Sequence, residues 1–249
     1  MDFTLEQYKR LLSALKRHHG YRIQHDIDQY PERALPIAET EIAEGIKTVY
    51  YFRSKHFSSQ SNLIEQLASM GHRIGYHYEN LAMAQGNIKT AYTDFCTNIE
   101  LLRKIVPVTT ACAHGSPFSK WDNKKPWEHY DIHTLGIDYE PLLDTDFSKT
   151  LYLTDTGRRW DGYKVSVRDK VPQYQEQWER EGLVFHSTDD IIRALHNPEH
   201  LIHQKELLIN THPQRWMPFG TQWLTEATLQ WWKNIAKRII VKLKQNYQN

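Results

Sequence analysis

Little in the bulk properties of this 249-residue chain points to a partner. Its charge nearly cancels, with 31 Lys and Arg against 30 Asp and Glu. No global field steers it toward nucleic acid or an anionic membrane, so any charge logic must be local. Cysteine is scarce: Cys96 in a helical pattern and Cys112 in a strand-like one form neither a disulfide framework nor a metal-ligand spacing, which fits a reducing compartment. No uncharged run approaches the roughly 18 residues needed to span a bilayer. The start Met1-Asp2-Phe3-Thr4 lacks the basic segment and apolar core of a secretion signal. No linker, repeat or low-complexity tract interrupts the chain. These absences predict one cytoplasmic domain over 1–249, without a transmembrane segment and with nucleic acid excluded as the main partner.

What is abundant is histidine, with 14 residues, beside 8 tryptophans, a mixture suited to metal or proton chemistry near aromatic surface. The histidines and aspartates recur at the ends of short apolar runs. His25-Asp26-Ile27-Asp28 closes the run from Tyr21, Tyr76-His77-Tyr78-Glu79 closes another, and Ala113-His114, Thr154-Asp155, Phe185-His186 and Thr211-His212 repeat the design. Strand-like runs at about 21–27, 48–53, 73–77, 108–113, 136–139, 151–154, 183–186 and 207–210 alternate with helical patterns. Those helices are expected from Thr4, over Pro31–Glu44, Ser61–Met70, about Asn87–Val106, Thr188–Leu195 and about Leu224–Leu243. Strands separated by helices imply parallel pairing through right-handed crossovers. The expected class is therefore α/β, a (β/α) barrel of seven or eight strands whose chemistry gathers at the carboxyl ends of the strands, with an open doubly wound sheet as the alternative. Residues 116–132 and 156–180 read as long functional loops.

Asp26 and Asp28 are two apart, so a regular strand would turn both carboxylates to one face. Two anions that close need a cation or a shared proton. The alternative is that Asp28 caps the next helix and Asp26 is a solvated turn residue. His77, with Glu79 two residues on, brings imidazole and carboxylate chemistry suited to zinc or another first-row divalent ion. His72, at the opposite end of that strand, reads as structural.

Asp26-Ile27-Asp28 with Gly71-His72-Arg73-Ile74-Gly75-Tyr76-His77 resembles the first two motifs of the polysaccharide deacetylase family, the NodB homology domain of carbohydrate esterase family 4. Ala113-His114-Gly115-Ser116-Pro117 and Ile209-Asn210-Thr211-His212 are similar to later motifs, so the resemblance covers about 20–215, with terminal helices added. It implies a distorted (β/α)7 barrel and a metal-dependent hydrolase, a carbohydrate deacetylase removing acetyl groups from N-acylated sugars. The branch it resembles is associated with bacterial surface-polysaccharide gene clusters, which implies polysaccharide or glycolipid biosynthesis.

Carried over residue by residue, the resemblance makes Asp26 the catalytic base, Asp28 and His77 metal ligands, and His212 the acid that protonates the leaving amine. The chain departs from the family pattern at three points. Ile27 separates two aspartates that normally adjoin, Leu81 occupies the position of the second ligand histidine, and the third motif has no arginine. Glu79 and His114 are the nearest candidates for the missing ligand. Candidate substrate contacts for a carbohydrate or nucleotide sugar are His25, Tyr78, Arg158, Trp160, Arg168, Arg215 and Trp216, because arginine pairs with phosphate or carboxylate and tryptophan covers a sugar face. Arg158 has a rival reading as a brace to Asp155 or Asp161. Trp231-Trp232 reads as packing. Two other classes stay open: a metal-free, inactive deacetylase-like protein binding a glycan or partner, and a two-carboxylate glycoside hydrolase.

Overall fold

The structure is a computed structural model that describes residues 1–116, 119–164, 166 and 169–246, with side chains omitted for residue 164 and for 236–246. In chain order the strands are β1 (Tyr21–Ile27), β2 (Val49–Phe52), β3 (Arg73–Tyr78), β4 (Ala111–Ala113), β5 (Thr150–Thr154) and β6 (Glu206–Thr211). The helices are α1 (Leu5–Leu15), α2 (Ala34–Ala43), α3 (Ser61–Ser69), α4 (Asn80–Met83), α5 (Ile88–Arg103), α6 (Pro141–Asp144), α7 (Pro172–Arg180), α8 (Thr188–His196) and α9 (Thr221–Asn246). The strand order is β4-β3-β2-β1-β6-β5 and the registered pairs are parallel. This is the (β/α) barrel-type α/β fold that the alternation of strands and helices implies.

The chain divides into two compact units: Met1–Ile23 with Phe147–Asn249, and Gln24–Asp146. The division falls inside β1, so the first unit is built from both ends of the chain. In the first unit α1 packs on α8. Thr4 caps α1 by accepting from the Gln7 N–H at 3.1 Å, whereas the Gln7 side chain turns away to donate to Asp189 at 2.8 Å. Only half of a capping box forms there; a complete one is at α8, between Ser187 and Asp190.

The second unit is held by an aromatic core of Tyr50, Tyr51, Phe52, Tyr76, Tyr78 and Phe95, all essentially buried. Gly75 is required here by close approach: a Cβ on it would lie 2.3 Å from the Tyr51 ring, whose hydroxyl meets Thr110 Oγ1 at 2.8 Å. Below these rings Glu41 is wholly buried, with its carboxylate against His25 Nε2 at 2.8 Å and accepting from Tyr50 OH at 2.6 Å and Thr48 Oγ1 at 2.9 Å. His72 Nδ1 accepts from the Thr48 N–H at 3.2 Å, which fits its structural reading. A buried carboxylate is tolerable only when its oxygens are this fully hydrogen-bonded.

Two expected strands do not form. Residues 136–139 follow a short 3-10 turn ended by Gly136 in the left-handed region, and make one bridge from Tyr139 to Thr110 instead of a ladder. Residues 183–186 are spent on helix ends: the Leu183 N–H closes α7 on Trp178 O, and the His186 N–H caps α8 through Asp190. The run from Val108 shortens to Ala111–Ala113. The supposed loop 156–180 contains α7. Among the described residues no helix is long and apolar enough to cross a membrane.

Candidate metal centre

In the second unit β1 and β3 each carry a carboxylate or an imidazole near their carboxyl ends. Asp26 pairs in register with Tyr51, and β1 ends at Ile27. The Asp28 N–H turns back to Asp26 O at 3.2 Å, so the two aspartates leave the strand differently. They reach His77 from opposite sides of its ring. Asp26 Oδ1 is 3.8 Å from Nδ1, and Asp28 Oδ1 is 3.5 Å from Nε2.

The β3–β4 register, His77 opposite Cys112, brings His114 to the same place one residue beyond β4. Its N–H donates to Tyr78 O at 2.8 Å, and Asn123 Nδ2 holds its carbonyl at 2.7 Å. His114 Nδ1 then lies 3.2 Å from Asp28 Oδ1 and 3.2 Å from His77 Nε2. His77 Nδ1 sits 3.0 Å from Cys112 O. A carbonyl only accepts, so Nδ1 carries a hydrogen and Nε2 is the atom aimed at Asp28 and His114.

The electrostatics separate the two imidazoles. Burial lowers the His77 ring, but the Asp26 and Asp28 carboxylates outweigh it and bring the ring up to about 9. His114 goes down to about 4, because burial exceeds the help it receives from Asp28 and the charged His77 ring opposes a second proton. One carboxylate therefore faces one cationic and one neutral ring. A single divalent ion would replace the shared proton and satisfy all three groups.

The donor set fits such an ion. Ligands at about 2.1 Å in a tetrahedron stand about 3.4 Å apart, and the donor triangle here measures 3.2, 3.2 and 3.5 Å. Two imidazoles and one carboxylate are borderline ligands that suit zinc and its first-row neighbours. Asp26, His77 and Cys112 form a second, fully buried group of potential donors. The first is better built, since His77 Nδ1 is already engaged with the Cys112 carbonyl.

The structure thus gathers Asp26, Asp28, His77 and His114 from the sequence candidates and leaves others out. Glu79 does not join this group: its carboxylate takes Arg53 Nε at 2.8 Å and a second contact from Arg53 Nη2, so a guanidinium occupies it. Leu81 is a buried apolar residue of α4. His25 is no substrate contact, because it is wholly buried on Glu41 and stacked on Tyr50 at 4.3 Å. Tyr78 is likewise core, its hydroxyl donating to Glu140 at 3.0 Å. Arg53, at the end of β2, was not foreseen; its strand-end position was the available signal.

The first unit holds the other candidates, in a cluster of its own. Thr154 pairs with Asn210, so Asp155 and His212 follow β5 and β6 side by side. The His212 Nδ1 donates to Asp155 Oδ1 at 2.7 Å. Arg215 Nη1 lies 2.7 Å from the same Nδ1, but its two hydrogens go to Asp155 O at 2.9 Å and Oδ1 at 2.5 Å. Nδ1 therefore keeps its own proton. Asp155 Oδ2 accepts from the His212 N–H at 3.0 Å and Trp216 Nε1 at 2.7 Å. Burial opposes ionisation of Asp155, yet Arg215 and then His212 outweigh it and hold the carboxyl down at about 2.

Arg215 and Trp216 are consequently buried partners of Asp155, not sugar contacts. Trp160 is also core, buried with its indole N–H on Thr188 Oγ1 at 2.9 Å. Arg158 donates to Arg215 O at 3.3 Å and lies 4.6 Å over the Trp223 ring, while Asp161 is taken by Arg159. Arg168 lies outside the described residues. Trp231 and Trp232 are exposed, against the expectation of packing.

No protein-family model matches the chain, and no curated protein matches it. Three solved structures are similar to it. One is a mutant of a CE4-family pseudoenzyme with restored enzymatic activity, at 11% identity and TM-score 0.45 over 92% of this chain and 64% of that one. Another is a mutant of the peptidoglycan deacetylase PdaC from Bacillus subtilis, at 11% identity and TM-score 0.42 over 92% and 96%. The third is the Xyl-CE4 domain of a multidomain xylanase from the hindgut metagenome of Trinervitermes trinervoides, at 12% identity and TM-score 0.36 over 91% and 83%. This chain spans under two thirds of the first of these.

Proposed function

We propose that the chain is a metal-dependent hydrolase that removes an acetyl or other acyl group from an N-acylated sugar. The observation that carries this reading is the donor triangle of Asp28 Oδ1, His77 Nε2 and His114 Nδ1. His114 supplies the third ligand in place of the histidine that Leu81 lacks. A divalent ion there would acidify a water and polarise the acyl carbonyl. Asp26, buried on the Nδ1 side of His77, serves as base, takes a proton from the attacking water and gives it up to solvent once the acid product leaves. His77 is oriented by the Cys112 carbonyl, and His114 by Asn123. The sequence resemblance gives His212 the protonation of the departing amine; within the first unit its Nδ1–H is held on Asp155.

The sequence resemblance supports the carbohydrate substrate and the biosynthetic role. The test is acetate release from a panel of N-acetylated sugars, sugar nucleotides and oligosaccharides, with metal content measured on the same samples. Expected are one divalent ion per chain, activity abolished by chelation and restored by zinc, and at least about a 100-fold loss of metal affinity in Asp28→Ala and His77→Ala. Glycan binding that persists through chelation with no acetate released from any substrate would overturn the reading in favour of an inactive binding protein.

A further inference from the structure

Helix α9 is seated with its polar side inward. Gln230 is buried, Asn234 Nδ2 donates to Gly157 O at 2.8 Å, and the Trp223 indole N–H reaches Asp2 O at 3.1 Å. These are its ties to the first unit. Its apolar residues face away from that unit: Trp231 is 57% and Trp232 64% exposed, Leu224 and Leu229 are each half exposed, and Phe219 just before the helix is 59% exposed. The helical spacing of Leu224, Trp231, Ile235, Ile239 and Leu243 continues the same stripe along the sequence. An apolar stripe turned to water on a helix already anchored by its other side is a surface built for something else to cover.

The charge of this segment says what covers it. From Ala227 to Asn249 the chain carries Lys233, Lys237, Arg238, Lys242 and Lys244 and no acidic residue, a local +5 that leaves −4 on the rest. Two copies meeting through this face would bring ten cations together without a counter-charge, which opposes self-association. An anionic lipid surface supplies both an apolar layer and the opposite charge. Tryptophan and leucine on one side with lysine and arginine beside them is the composition of a helix that lies in the membrane interface.

We propose that α9 docks this protein on an anionic bilayer, with Leu224, Leu229, Trp231 and Trp232 entering the headgroup–acyl boundary and the basic segment balancing lipid phosphate. The site does not depend on the hydrolase reading. The experiment is sedimentation of the full chain with vesicles of phosphatidylcholine alone or mixed with phosphatidylglycerol. Binding is expected only to the mixed vesicles and is expected to fall steeply with salt. Trp231→Ser/Trp232→Ser and, separately, Lys233→Glu/Lys237→Glu should each weaken it by about tenfold or more. Both pairs lie outside the donor triangle, so unchanged circular dichroism and metal content verify folding. Equal binding to both vesicle types, binding indifferent to both double variants, or no binding with a dimer that Trp231→Ser/Trp232→Ser dissociates would each overturn the proposal, the last in favour of a second copy as the occupant.

Discussion

Asp28 and Asp155 invite comparison because each stands one residue past a parallel strand and faces histidine. They are finished in opposite ways. Asp155 is buried and takes four donors on two oxygens: the His212 ring, the His212 N–H, the Arg215 guanidinium and the Trp216 indole. Asp28 is half-buried and turns Oδ1 toward two ring nitrogens, one of them on a ring whose own value is lowered to about 4. Saturation by fixed donors makes an aspartate an orienting group that holds one histidine in one tautomer. Convergence with two imidazoles suits it to the ligand role proposed above. Residue type and position along the strand are the same in both; the neighbouring chemistry decides the role.

The comparison breaks most visibly if the two aspartates are exchanged as targets. Asp155→Ala leaves a buried guanidinium facing the His212 ring without a carboxylate, so it should cost about 3–5 kcal/mol in urea unfolding, with metal content per folded chain unchanged. A metal loss equal to that of Asp28→Ala would erase the distinction. Acid should act on Asp155 in the same sense. Its folded value near 2 lies below the ordinary 3.8, so the stability it contributes is complete above about pH 4 and lost as pH falls toward 2. That contribution is about 2 kcal/mol. Unfolding free energies measured from pH 5 to 2 should fall less steeply in Asp155→Asn than in the parent.

A smaller effect sharpens the ligand set itself. Cys112→Ala and Glu79→Ala should each keep the full complement of metal. Cys112 offers its carbonyl to His77 through the main chain, and Glu79 is occupied by Arg53. The Glu79 variant should lose at most about 1 kcal/mol, since the pair it breaks is partly open to solvent. Metal lost from Cys112→Ala would transfer the site to the buried Asp26, His77 and Cys112 group.

Local pattern made much of this legible. The short apolar runs and capped helices locate β1, β2, β3, β5 and β6 to within a residue or so, because strand propensity and turn chemistry act over a few residues. It failed at 136–139 and 183–186, where apolar runs look like strands but spend their backbone groups on a turn and on two helix ends. Tryptophan and arginine in the first unit were misread for a related reason. Composition shows that Arg215 and Trp216 can bind a ligand, whereas it takes the β5–β6 register to show that Asp155 already uses them.

By itself, then, the sequence determined the alternation of strands and helices, the placement of Asp26, Asp28, His77, His114 and His212 at strand ends, and the basic, tryptophan-bearing character of α9. Tertiary structure alone decided which of Glu79 and His114 stands with Asp28, because that choice depends on the β3–β4 register and on a guanidinium 26 residues upstream of Glu79. It also decided that Trp231 and Trp232 face outward. Helical spacing defines a stripe, but only packing determines which side of the helix is turned to the core.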